Sequence, residues 1–324
     1  INYYSGLKIN HSKTFKKKQY YLWFALVSSL IPLLYLKYAN FFIVNINNVS
    51  KVFGASSSFS TLDVILPVGI SFFTFQALSY SLDVFYGKTK VEKNVINFTV
   101  FVAFFPQLVA GPIERSSNLL KQFRDKHSFD RLNFIDGCKL FIWGLFKKVV
   151  IADRLAIYVN RIYEDPDLYN GPTLALATVF FAIQIYCDFS GYSDMAIGTA
   201  KILGFDLKQN FNLPYFSRSI ADFWKRGHIS LSSWFSDYLY KPLGGNRVNY
   251  HRWLFNILIV FIVSGFWHGA SWTFIIWGLL HGIYYFLENW GDAFLKLLNQ
   301  SKIKTVYFYK VFKTVLVFIL VCYA

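Results

Sequence analysis

Charged residues are scarce in this chain: Asp, Glu, Lys and Arg fill 16% of its 324 positions, while 55% are hydrophobic and 21% aromatic. A soluble domain of this size needs a more polar surface, so that class is excluded. Acidic residues are scarcer still, 18 against 33 Lys and Arg. The excess positive charge does not indicate a nucleic acid, because the basic residues stand in short segments between apolar runs and no recognised basic module occurs. Cytoplasmic loops and anionic lipid account for that distribution, so membrane lipid is an expected partner and nucleic acid is not. Cysteine is nearly absent. Cys138, Cys187 and Cys322 are too few and too widely spaced for a disulfide framework or a zinc site, and they read as small buried hydrophobes.

Site signatures are missing as well. The sequence contains no Walker P-loop, G-x-G-x-x-G, H-E-x-x-H, C-x-x-C or G-x-S-x-G. None of its six histidines has an aspartate five positions later, which removes the H-x4-D arrangement of soluble acyltransferases. No metal site is expected, and no serine or cysteine is marked as a covalent nucleophile.

What is present is a series of apolar runs of membrane-spanning length, without the short alternating segments of a β-barrel. An all-α polytopic membrane protein follows. Lys8, Lys13 and Lys16 to Lys18 precede an apolar run over residues 20–36, which places the lysines in the cytoplasm and residues 45–60 outside. A second span over 62–85 returns to Lys88, Lys90 and Lys93. Residues 95–109 are apolar but short and run into Pro106, Gly111 and Pro112, so a re-entrant segment is expected there, with Glu114 and Arg115 as a solvated pair at a helix start. Residues 140–150 carry Lys147 and Lys148 and are followed by Asp153 and Arg154, and the acidic loop at 164–167 reads as outside. The span over 174–202 carries Asp188 and Asp194, which six-residue spacing puts on roughly opposite sides of a helix. Separate structural bonds suit them better than a shared acid/base role.

Residues 216–239 repeat apolar side chains at 3.6-residue spacing, predicting an amphipathic interfacial helix with His228 at the edge of its apolar face. Lys241, Arg247 and Arg252 follow it on the cytoplasmic side. Residues 253–267 then cross the membrane, and His268 lies roughly 22 Å from Trp253 at helical rise. Residues 272–289 return to Lys296, Lys302 and Lys304.

The sequence is organised around Gly265-Phe-Trp-His-Gly-Ala-Ser-Trp272. From Trp253 to Phe286 the strongly polar side chains are Asn256, His268 and His281 alone, so the imidazole of His268 must be satisfied by a partner or used in chemistry. Gly265 and Gly269 allow close backbone approach and loosen the helix around it. A helix-to-helix bond for the histidine and interfacial anchoring for the tryptophans are the structural alternatives. Histidine with hydroxyl and aromatic neighbours suits general-base activation of an acceptor hydroxyl.

Five blocks, taken together, carry a resemblance. They are Pro67-Val-Gly-Ile-Ser-Phe-Phe-Thr-Phe-Gln76, Phe104-Phe-Pro-Gln-Leu-Val-Ala-Gly-Pro-Ile-Glu-Arg115, Tyr186-Cys-Asp-Phe-Ser-Gly-Tyr-Ser-Asp194, the stretch from His228 to Arg247, and Gly265 to Trp272. In this order they resemble the membrane-bound O-acyltransferase family, in its bacterial alginate O-acetylase branch. The resemblance implies one integral-membrane acyltransferase domain over residues 1–324, a helical bundle around a central tunnel. It implies His268 as the essential histidine and His228 as the second signature residue. Trp224, Arg226, Trp234, Trp267 and Trp272 would shape the tunnel. Arg226 and Lys225 would attract an anionic donor, acetyl-CoA or a similar acyl thioester. It further implies the bacterial inner membrane, a periplasmic or extracellular acetyltransferase partner protein and a polysaccharide acceptor such as alginate. Peptidoglycan and teichoic acid are alternative acceptors, and a proton-coupled transporter using the intramembrane His and Asp residues is the alternative from another class. Gly227 departs from the family's usual tryptophan before the histidine, and in an unbroken helix it would cost roughly 1 kcal/mol against Ala. Because Ile1 is not Met and the chain stops inside the apolar run 311–324, a protein truncated at both ends is expected.

Overall fold

The computed structural model describes residues 1–54, 58–297 and 306–324. Lys302 and Lys304, expected to mark the cytoplasmic side, lie outside the described residues, as does the side chain of Lys296. Among the described residues every regular element is helical. The helices are α1 (Asn2–His11), α2 (Phe15–Leu33), α3 (Ala39–Val52), α4 (Ile70–Phe85), α5 (Val95–Ala103), α6 (Ser116–Gln122), α7 (Arg131–Leu145), α8 (Asp153–Glu164), α9 (Gly171–Ile202), α10 (Ile220–Arg226), α11 (Ile229–Phe235), α12 (Tyr250–His268), α13 (Trp272–Leu297) and α14 (Tyr307–Tyr323). Wider π-helical turns follow α2 (Leu34–Tyr38), α7 (Phe146–Ala152) and α11 (Ser236–Tyr240). Among the described residues three stretches are long and apolar enough to cross a membrane: Phe15–Val52, Gly171–Ile202 and Tyr250–His268.

Helix starts follow from local chemistry. Asp130 accepts from the N–H groups of Leu132 and Asn133 to open α7, Asn170 caps Thr173 in α9, and Ser219 caps Asp222 in α10. Each side-chain oxygen satisfies an N–H that has no partner within its helix.

The chain packs as two compact units that alternate along the sequence. One comprises residues 1–109, 113–126 and 263–276; the other comprises 110–112, 127–262 and 277–324. In the first, α1, α2 and α4 pack against one another. Leu33, Tyr38 and Ile70 form a buried cluster there, flanked by Phe73 and Phe266. In the second, α7 lies along α9 at a separation set by glycine. A Cβ on Gly144 would stand 2.5 Å from the carbonyl oxygen of Gly191, and one on Gly137 would stand 2.7 Å from that of Gly198. Both helices therefore approach backbone to backbone at two points seven residues apart, as small residues permit in apolar surroundings.

Several expectations change at this level. The first apolar run does not end at residue 36: Phe15–Val52 continues as 38 helical residues through the π turn, so the stretch expected to be polar and outside begins as helix. Pro32 lacks an N–H, one rung of the ladder is lost, and the wider π pattern begins two residues later. The amphipathic segment is not one helix. It breaks into a 3-10 turn at Pro214–Phe216, then α10 and α11, with the interruption at Gly227 and His228. Gly227 thus follows the end of α10 in an extended conformation and carries no mid-helix penalty. Glu114 and Arg115 do precede a helix start, but they are buried rather than solvated, and Glu114 accepts from the Asn118 amide at 2.8 Å. Residues 104–115 are irregular backbone between α5 and α6.

The aspartates of α9 make separate bonds, as their spacing implied. Asp194 pairs with the buried Lys147 at 2.6 Å, and Asp188 pairs with Lys148 at 2.5 Å.

Candidate active site

The residues singled out in the sequence fall into two groups, one on each unit. On the first unit, His268 is the last residue of α12, and a three-residue loop separates it from Trp272 at the start of α13. The helix does not merely loosen at His268; it stops. Gly269 is required there because a Cβ would collide with the ring of Phe274. His268 is partly buried, and the ring of Trp267 stands edge-on to it at 5.0 Å. Trp267 is itself buried between Phe72 and Phe75 of α4, each at 5.4 Å. Trp272 is exposed, and its indole N–H donates to Asn45 of α3 at 2.7 Å.

The last carbonyls of a helix have no partner within it and carry the negative end of its dipole. Here the π turn Leu34–Tyr38 supplies their partners. The Tyr38 hydroxyl donates to the Phe266 carbonyl at 3.0 Å, and the Lys37 ammonium donates to the carbonyls of Trp267 and His268. The third ammonium hydrogen meets the Ser71 hydroxyl at 3.2 Å, while the rings of Tyr38 and Trp267 face the same charge at 5.5 Å. A lysine near the middle of an apolar helix costs roughly 2.5 to 3.5 kcal/mol on insertion scales, so these contacts are what makes it tolerable. Lys37 lies one residue beyond the span expected over residues 20–36, inside the π turn that continues it. The available signal was that no other charged side chain interrupts residues 19–50.

On the second unit, His228 is buried and adopts φ 45° and ψ 51°, the left-handed region that is unusual for a residue with a Cβ. Such strain, of order 1–3 kcal/mol, persists only where neighbours enforce it. Residues 210–212 do so: the Ile229 N–H donates to the Asn210 carbonyl at 2.9 Å, and the Asn212 N–H to the Arg226 carbonyl at 2.8 Å. The Asn210 side chain fixes the imidazole as well. Its Oδ1 accepts from the backbone N–H and the hydroxyl of Ser230, at 3.1 and 2.9 Å, and lies 3.3 Å from Nδ1 of His228. Because Oδ1 can only accept, Nδ1 is the protonated nitrogen, and Nε2 carries the lone pair a base needs. Asn210 was not recognised in the sequence.

Trp224 donates to Nδ1 of the buried His281 at 3.3 Å. His281 therefore belongs to an aromatic cluster with Phe223, Phe261 and Trp277. Nearby, the Tyr215 hydroxyl donates to the Ala182 carbonyl at 2.6 Å, and burial raises its pKa above the ordinary phenol value. Arg226 is tied to Asp222 of its own helix at 2.9 Å, Lys225 is exposed, and Trp234 is buried against Phe235 and Tyr238. Among the described residues no three His, Cys, Asp or Glu side chains are grouped to hold a metal ion.

The profile of MBOAT, the membrane-bound O-acyltransferase family, matches residues 90–323, a stretch that contains both histidine sites. The chain belongs to this family. Among curated relatives, the probable alginate O-acetylase AlgI of Azotobacter vinelandii is 43% identical over 291 residues, covering 89% of this chain and 58% of the relative. The peptidoglycan O-acetyltransferase of Helicobacter pylori is 39% identical over 309 residues, with 87% and 58% covered. The teichoic acid D-alanyltransferase of Bacillus subtilis is 29% identical over 256 residues, with 74% and 64% covered. The chain thus spans less than two thirds of the length of these O-acyltransferase-family relatives. Membership makes it a membrane protein, in keeping with its apolar helices.

Proposed function

We propose that this protein is a multi-pass O-acetyltransferase of the bacterial inner membrane, with His268 as general base at the acceptor hydroxyl. The observation that carries the reading is the end of α12, where a histidine in apolar surroundings closes a helix whose terminal carbonyls are held by Lys37 and Tyr38. An acyl thioester, acetyl-CoA or a similar donor, meets the acceptor there. His268 takes the hydroxyl proton as the oxygen attacks the thioester carbonyl; the C–O bond forms, the C–S bond breaks, and the thiolate leaves with the proton. The strained, Asn210-oriented His228 supports a second role in binding or proton transfer. Trp224, Trp234, Trp267 and Trp272 would border the acyl path in a bundle with re-entrant segments and a central tunnel, and Lys225 and Arg226 would draw the anionic donor.

The acceptor is an envelope polysaccharide, alginate-like by the relatives near 43% identity, reached through an extracytoplasmic partner protein. The peptidoglycan enzyme at 39% identity supports that polymer as the second candidate. In cells carrying His268→Ala, envelope polysaccharide is expected to lose its O-acetyl groups while the protein still accumulates in the membrane. Undiminished acetylation in that strain would contradict the assignment, and measuring alginate and peptidoglycan separately identifies the acceptor.

A further inference from the structure

We propose that Lys37 is a positioning residue for the transfer step, one that fixes the peptide unit from which His268 hangs. The inference rests on the reading of His268 as the base. Two consecutive residues of one π turn hold three consecutive carbonyls at the end of α12: Tyr38 takes that of Phe266, and Lys37 takes those of Trp267 and His268. A helix end without such partners frays within its last turn, and the imidazole would move with it.

The ammonium is suited to this task rather than to plain structural pairing. Its three hydrogens meet three acceptors, two carbonyls and the Ser71 hydroxyl, which fixes its direction as well as its position. Among the described residues no ion pair includes Lys37, so its positive charge acts on the negative pole of α12 without a competing carboxylate. The π turn provides the reach, because the extra residue it inserts redirects the side chains that follow Pro32. Such bulges recur at functional sites.

Misplacing a catalytic group by about 1 Å costs on the order of 100-fold in rate, and the loss falls on kcat when donor binding lies elsewhere. The test uses native membrane vesicles that retain the extracytoplasmic partner, with acetyl-CoA as donor and an alginate oligosaccharide as acceptor, read by ester formation. Lys37→Met is expected to lower kcat about 100-fold with KM for acetyl-CoA within about twofold. Lys37→Arg, which keeps charge and donors, is expected to recover at least about tenfold of that loss. Should Lys37→Met fail to accumulate, Tyr38→Phe is measured in its place, with an expected loss of roughly fivefold in kcat. An unchanged kcat in the variant measured overturns the proposal. So does a fall in kcat matched by a fall in melting temperature with no recovery in Lys37→Arg. His268→Ala separates the two readings: if it is still active, the base assignment has failed, whereas an inactive His268→Ala beside a normal Lys37→Met sinks only the role of Lys37.

Discussion

Two π turns of this protein carry lysines, and they use them differently. In Phe146–Ala152, Lys147 pairs with Asp194 at 2.6 Å and Lys148 with Asp188 and Asp153 at 2.5 and 2.7 Å, beside the glycine contacts that bring α7 against α9. In Leu34–Tyr38, Lys37 meets dipoles and rings rather than a carboxylate among the described residues: the carbonyls at the end of α12, one hydroxyl, and the faces of Tyr38 and Trp267. A cation matched by a carboxylate locks two helices together. One matched by backbone carbonyls leaves its charge and its direction for use at the site it faces, which here is His268.

The largest effect on rate is expected from Lys37→Met, with little effect on unfolding temperature, while Lys147→Met should do the reverse. Removing Lys147 leaves the partly buried carboxylate of Asp194, 22% exposed, without its cation, a loss of roughly 1–3 kcal/mol of stability. Thermal unfolding in detergent, with kcat corrected for the folded fraction, reads both. Replacing both partners, as Lys147→Met with Asp194→Leu, is expected to restore most of that stability, because the partly desolvated charge goes with its partner. Gly191→Ala should cost about 1–3 kcal/mol by pressing a methyl group toward the Gly144 carbonyl, now 2.7 Å from that Cβ position. The smallest effect is expected from Lys148→Ala. That side chain is 39% exposed, so its pairs are screened and the change should stay below about 1 kcal/mol.

What could be read in advance was the chemistry that composition and spacing expose. The apolar runs yielded helices, Asp188 and Asp194 fell into separate bonds, and His228 proved buried. What could not be read were departures from 3.6-residue periodicity. The π turn that continues the first helix to Val52 is invisible to a repeat count, so Lys37 read as the far edge of a span. The break at Gly227 and His228 was hidden because apolar spacing persists across it, although the backbone reverses hand at the histidine. Asn210 lies 18 residues from His228 in sequence, and only the folded backbone brings them together. The burial of Glu114 and Arg115 likewise depends on neighbours that local sequence does not name.

The central claim is that the acyl group is transferred at the helix end bearing His268, and a single-turnover experiment tests it most directly. Native membrane vesicles that retain the extracytoplasmic partner and hold equal amounts of wild-type protein or His268→Ala are mixed with stoichiometric acetyl-CoA and acceptor, quenched, and assayed for ester. The account predicts a rate lower by roughly 10²- to 10⁴-fold in the variant, the range expected for loss of a general base. Ester formation within about twofold of wild type, inside what removal of a non-catalytic side chain could produce, would contradict it.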